Sequence, residues 1–187
     1  MWVPFAVLAV VVLPPILYVV LTYNTLVALR NHIRDAWANI DTELKRRYDL
    51  IPNLVATVKG YAAHEKEILE RVTRLRAQCM ASQGRPNQQA VDENQLVAAL
   101  QKLMLVVENY PQLKADRNFL ELQKELVNTE DRIQAARRFF NGNVRDYRNK
   151  CETFPSSLIA GAFGFQGEDY FNVDPAVRAA PGAEFNS

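Results

Sequence analysis

The sequence predicts an all-α protein: a long antiparallel four-helix bundle preceded by one N-terminal transmembrane helix. Three observations predict it. No Lys, Arg, Asp or Glu occurs before Arg30. Beyond that point, apolar residues recur at intervals of three and four, the period of one helical face. No alternating apolar and polar stretch is long enough for a strand.

The first element is the anchor, residues 1–22. Trp2 to Leu21 reads WVPFAVLAVVVLPPILYVVL, and about 20 apolar residues are what a ~30 Å hydrocarbon core demands at 1.5 Å per residue. Trp2 at one end, with Tyr18 and Tyr23 near the other, suits the two interfacial belts. A cleaved signal peptide would need a basic start and a small-residue cleavage site, and Leu21-Thr22-Tyr23-Asn24 is too bulky to be one. Pro14 and Pro15 remove two amide donors and free the carbonyls of Val10 and Val11, so a kink is expected, with room for a neighbouring helix to pack there. Arg30 and Arg34, then Lys45, Arg46 and Arg47, follow the span, and no Lys or Arg precedes it. The positive-inside tendency therefore puts the amino terminus outside and the body in the cytoplasm.

The body, residues 23–153, carries two apolar rows in one heptad phase. Leu26, Ile33, Trp37, Ile40 and Leu44 form the first, and Leu54, Val58, Tyr61, Ile68, Val72, Leu75 and Cys79 the second. Arg47 and Glu65 are polar intruders in them. The shared phase suits one continuous helix kinked at Pro52; Asp49 as a cap with Pro52 in a first turn suits a new helix. Both readings stay open. Ala81–Ala90 is expected as a loop broken by Gly84 and Pro86. A helix is expected over 91–109, ended at Tyr110-Pro111, and a last long one over 115–152. The core should include Trp37, Ile40, Leu44, Val58, Leu100, Leu103, Phe119, Leu126 and Phe140. Residues 154–174 are apolar and aromatic with glycines between, a flap that either closes on the bundle or docks elsewhere. Residues 175–187 are expected to be disordered.

Composition excludes several functions. Twenty-two basic against 21 acidic residues give a formal net charge of +1, without the basic excess that phosphate neutralisation requires, so no nucleic acid is expected. Cys79 and Cys151 have neither a disulfide-framework density nor a metal-ligand spacing. His64-Glu65 begins a zinc-protease pattern, but position 68 is Ile68 where the second ligand must stand. Gly161-Ala162-Phe163-Gly164 lacks the lysine of a phosphate loop. No metal, cofactor or catalytic set is expected.

Several strings occur in a recognisable order. They are Tyr23-Asn24, Leu29-Arg30-Asn31, Ala36-Trp37, Arg46-Arg47, Asp49-Leu50-Ile51-Pro52-Asn53-Leu54 and Val58-Lys59-Gly60-Tyr61-Ala62 with His64-Glu65. Glu108-Asn109-Tyr110-Pro111, Leu113-Lys114-Ala115, Ala136-Arg137-Arg138, Phe154-Pro155 and Phe163-Gly164-Phe165 follow. In these, from Tyr23 to about Phe171, the chain resembles the LemA family of bacterial membrane-anchored helical proteins. The resemblance implies a short outside terminus, one span, a cytoplasmic four-helix bundle and a location in the bacterial inner membrane. It also implies no known enzymatic activity. Tyr48 to Asn53 and Asn109 to Pro111 are expected to fix helix junctions. Arg46, Arg47, Asp49, Pro52, Asn53, Tyr110, Pro111, Phe154, Pro155, Phe163 and Phe165 mark an expected interaction surface.

The function expected is a single-pass scaffold or adaptor whose body binds protein partners or itself, without catalysis. The alternative is a membrane-remodelling or lipid-organising protein acting through the kinked span, the basic flank and the aromatic tail. Membrane lipid and a homo-oligomer are the partners expected.

Overall fold

The computed structural model describes residues 3–82 and 86–171, with side chains from Val11 onward. Trp2 and the segment 175–187 lie outside the described residues, as does Gly84. Every regular element among the described residues is helical: α1 (Val3–Tyr61), α2 (Lys66–Ala81), α3 (Pro86–Val107), α4 (Pro111–Lys114), α5 (Arg117–Glu152) and α6 (Ser156–Ala162). Two compact units result, Met1–Ala38 with Arg138–Glu168 and Asn39–Arg137 with Asp169–Ser187.

Helix α1 continues through Pro14, Pro15 and Pro52. Tyr48–Asn53 is therefore not a helix junction, contrary to the sequence expectation. A proline at position 52 cannot donate to the carbonyl of Tyr48, four residues back. That carbonyl instead accepts a 2.6 Å hydrogen bond from Arg76 Nε of α2. A side chain from a second helix replaces the missing bond, so the helix need not stop.

The break falls ten residues later. Gly60, a weak helix former, stands in the last turn of α1. Ala62 N–H donates to the Val58 carbonyl at 2.8 Å, and Glu65 N–H to the Ala62 carbonyl at 3.1 Å. At the next junction the expectation holds: α3 ends at Val107, and Pro111 takes the first turn of α4, where its missing amide costs little. Asp116 then accepts from Phe119 N–H at 2.9 Å, capping the start of α5. Pro86 likewise begins α3 instead of breaking a loop, so that helix starts five residues before the predicted boundary.

In the first unit Leu26, Ile33, Phe140, Val144, Tyr147 and Ile159 are buried. Trp37 is only half-buried, its ring 5.4 Å from that of Phe140. In the second unit α2 packs against α3. Ile40, Leu44, Val58, Leu103, Phe119 and Leu126 are buried as predicted, whereas Leu100 is half-buried. Ala99 takes the more buried position beside it, because a 3.6-residue period drifts away from a strict heptad row.

Candidate functional site

Among the described residues, three side-chain clusters stand out. The first lies inside the second unit. Arg47 is 1% exposed and Glu93 0%, and their side chains are ion-paired. Arg47 also reaches Glu130 at 2.7 Å, and the Tyr48 hydroxyl donates to Glu93. Burial opposes the guanidinium charge, but Glu93 and then Glu130 outweigh it and hold the Arg47 pKa above its ordinary value. Burial, then the charge of Glu93, pushes the Cys79 thiol up to about 12. The same two causes raise Tyr48 strongly. Every group here is tied to another, so the cluster fixes helices against each other.

The second cluster joins two motif blocks far apart in sequence. Tyr61, closing α1, donates its hydroxyl to Asp116 at 3.0 Å. Tyr110, ahead of α4, donates to Glu65 at 3.0 Å. The Glu65 carboxylate is thus engaged across the fold and does not cap α2. The Phe119 amide, then the Tyr61 hydroxyl, hold the Asp116 carboxyl below its usual range, while Tyr61 and Tyr110 are each raised by their carboxylate partners.

The third cluster stands where the apolar part of α1 ends. Val11 to Leu21 are exposed and uncharged. The Tyr23 ring meets Phe163 edge-on at 4.9 Å and Phe165 at 5.6 Å, and the Arg30 guanidinium lies 5.2 Å from the Phe165 ring centre. Local sequence explains this arrangement. Gly164 has φ +71°, which glycine adopts without a Cβ clash. Phe165 N–H then reaches back to the Ala160 carbonyl at 2.9 Å, as in a Schellman helix end. The reversal turns Phe165 inward and leaves Phe163 outside. In the second unit, Phe171 is buried under Arg137, 4.6 Å away.

The residues singled out from sequence therefore divide. Arg47 and Phe165 are interior. Tyr18, Tyr23, Arg34, Arg46, Asp49, Pro52, Asn53, Pro111, Phe154, Pro155 and Phe163 are exposed, while Arg30 and Tyr110 are half-buried. Arg46 sits 3.6 Å from Glu43. Sequence reasoning missed Glu93 and Arg76. Glu93 had a usable signal, because it interrupts the α3 stripe Ala90–Leu96–Leu103 as Arg47 interrupts that of α1. Among the described residues no three His, Cys, Asp or Glu side chains converge to hold a metal ion.

Fold and clusters together define a class: an all-α protein with, among the described residues, one helix long and apolar enough to cross a membrane, its mean hydropathy reaching 1.8 near the amino terminus. Residues 36–185 match the LemA family, and the chain belongs to it. It is 26% identical over 179 residues to magnetosome protein MamQ of Magnetospirillum gryphiswaldense, covering 82% of this chain and 66% of that protein. Magnetosome protein MamQ 1 of Paramagnetospirillum magneticum matches to the same extent. Protein LemA of Metamycoplasma hominis is 27% identical over 150 residues, covering 80% of this chain. The chain spans 66% of the length of each of these relatives.

Proposed function

We propose that this chain is a single-pass membrane adaptor, amino terminus outside, whose cytoplasmic four-helix bundle binds protein partners and other copies of itself without catalysis. Kinship with the LemA family and with proteins named for the magnetosome supports a membrane-associated, non-catalytic role. The observation that carries the binding role is a pair of oppositely charged grooves on the second unit. One, of about 600 Å³ between α1 and α2, has Lys59, Lys66 and Arg74 against the single carboxylate of Glu70 around a floor that includes Val55 and Leu69. The other, between α1 and α5, carries Glu121 and Glu125 and no cation. The acidic edge of one copy complements the basic groove of the next, a head-to-tail contact that propagates or closes into a ring.

The test is the mass of the full-length chain in mild detergent at low salt. Lys59→Glu with Arg74→Glu should reduce it to the monomer, as should Glu121→Lys with Glu125→Lys. Mixing the two variants should restore assembly, because each then offers the groove the other lacks. Assembly indifferent to both reversals would remove self-association through these grooves.

A second reading, a protein that organises or remodels lipid, is favoured by one observation: the exposed aromatic face around α6, at the end of the apolar segment of α1.

A further inference from the structure

Helix α6 has an inner and an outer side. Ser156, Ile159 and Ala160 are buried, while Phe154 is 76% exposed, Leu158 65% and Phe163 56%. Large apolar side chains so exposed within one short segment mark a contact surface. From Thr153 to Gly167 the chain carries no charged residue. The occupant of this face follows from what adjoins it. Phe163 packs on Tyr23, and Tyr23 lies two residues beyond Leu21, where the exposed, charge-free run of α1 that begins at Val11 in the described side chains ends. The outer side of α6 is thus continuous with the surface that hydrocarbon would cover, at the level where interfacial aromatics sit. All of these residues belong to the first compact unit.

We infer that α6 is a second membrane contact: Phe154, Leu158 and Phe163 enter the headgroup–acyl boundary of the bilayer beside the emerging span. The occupant is lipid, not a protein partner. Partial insertion of an apolar face at this depth is the habit of interfacial helices. Arg30 has its guanidinium over Phe165 just past the boundary, where a cation also meets lipid phosphate. The contact would hold the carboxyl-terminal end of α5 close to the bilayer through the short link 153–155, giving the chain two points of attachment in place of one. This inference rests on the anchor part of the proposed function and deepens it; it does not depend on self-association.

The experiment uses the full chain reconstituted in phosphatidylcholine vesicles, with Cys151→Ser so that an introduced cysteine is the accessible thiol and Cys79 stays buried. An environment-sensitive fluorophore is placed in turn at Leu158→Cys, Phe154→Cys, Val19→Cys and Asp35→Cys, all exposed positions. Asp35 lies 12 residues beyond Tyr23, or about 18 Å further along α1, and reports the aqueous side. Lipids bearing a shallow nitroxide should quench the Leu158 and Phe154 labels several-fold more than the Asp35 label, and iodide should quench them several-fold less. If the Val19 label is quenched by lipid while Leu158 and Phe154 behave like Asp35, the second contact is overturned and the anchor stands. If Val19 also escapes the lipid nitroxide, both are overturned. Shielding of Leu158 from iodide without quenching by lipid would give the face to a second copy of the chain and equally overturn the lipid assignment.

Discussion

Arg47 and Glu93 stand at stripe positions that an ordinary helical core fills with leucine, and their charges are tolerable there because they are paired, Arg47 with Glu130 as well as with Glu93. A buried charge that loses its partner must be carried undischarged in a poorly polarisable interior. Glu93→Ala should therefore destabilise the folded body by about 3–5 kcal/mol, read from denaturant melts. Joint replacement by Arg47→Met and Glu93→Leu should cost clearly less than the two single changes added together. Cys79 borders the same cluster, its thiol pKa pushed by burial and then by the charge of Glu93 up to about 12 from an ordinary value of 9.0. Between those values the unfolded chain has released a proton that the folded one keeps. Its stabilising contribution is whole below about pH 9 and is lost as pH rises toward 12. Thermal melts should fall across that window. Alkylation at pH 8 should modify half-buried Cys151 well before Cys79; equal rates would show that the cluster opens in the native protein.

At the scale of the element, the passage of α1 through Pro52 depends on α2. Arg76 supplies the donor that the proline ring withholds from the Tyr48 carbonyl. Arg76→Met should cost about 1–3 kcal/mol by leaving that acceptor orphaned. In a Pro52→Ala background the residue-52 amide takes over, and the same change should cost measurably less. The coupling in this double-mutant cycle is the measurement, and additivity would mean that water serves the carbonyl equally well. The true end of α1 lies where Gly60 weakens the helix and where Tyr61 finds Asp116. Proline was the conspicuous breaker in the sequence and glycine the effective one, since a proline's lost bond can be replaced from outside.

For the whole molecule, the arrangement proposed here has its amino terminus outside and its body in the cytoplasm, set by the basic residues that follow the span. Protease added to spheroplasts should leave the body intact. A cysteine placed near Trp2 should react with an impermeant reagent. Digestion of the body from outside would reverse the orientation and remove the cytoplasmic assignment with it. The charge reversals at Lys59, Arg74, Glu121 and Glu125 belong to the same scale, because they alter how copies meet and leave the buried core untouched.

The all-helical character, the apolar first segment, the junction at Asn109–Pro111 and most of the core were legible in the sequence. Periodicity, charge absence and turn chemistry are local properties that neighbouring residues impose on one another. The Arg47–Glu93 pair was half legible: Arg47 was visible as an intruder in its stripe and Glu93 was missed, and no one-dimensional pattern says that residues 46 positions apart face each other. The tyrosine–carboxylate ties at Asp116 and Glu65 were equally hidden, since partners 55 and 45 residues away are chosen by packing. The course of α1 through Pro52, and the meeting of Phe163 and Phe165 with Tyr23 some 140 residues earlier, were decided only by tertiary structure. Backbone carbonyls and aromatic rings can be satisfied by whatever the fold brings near, and the sequence around them does not record what that is.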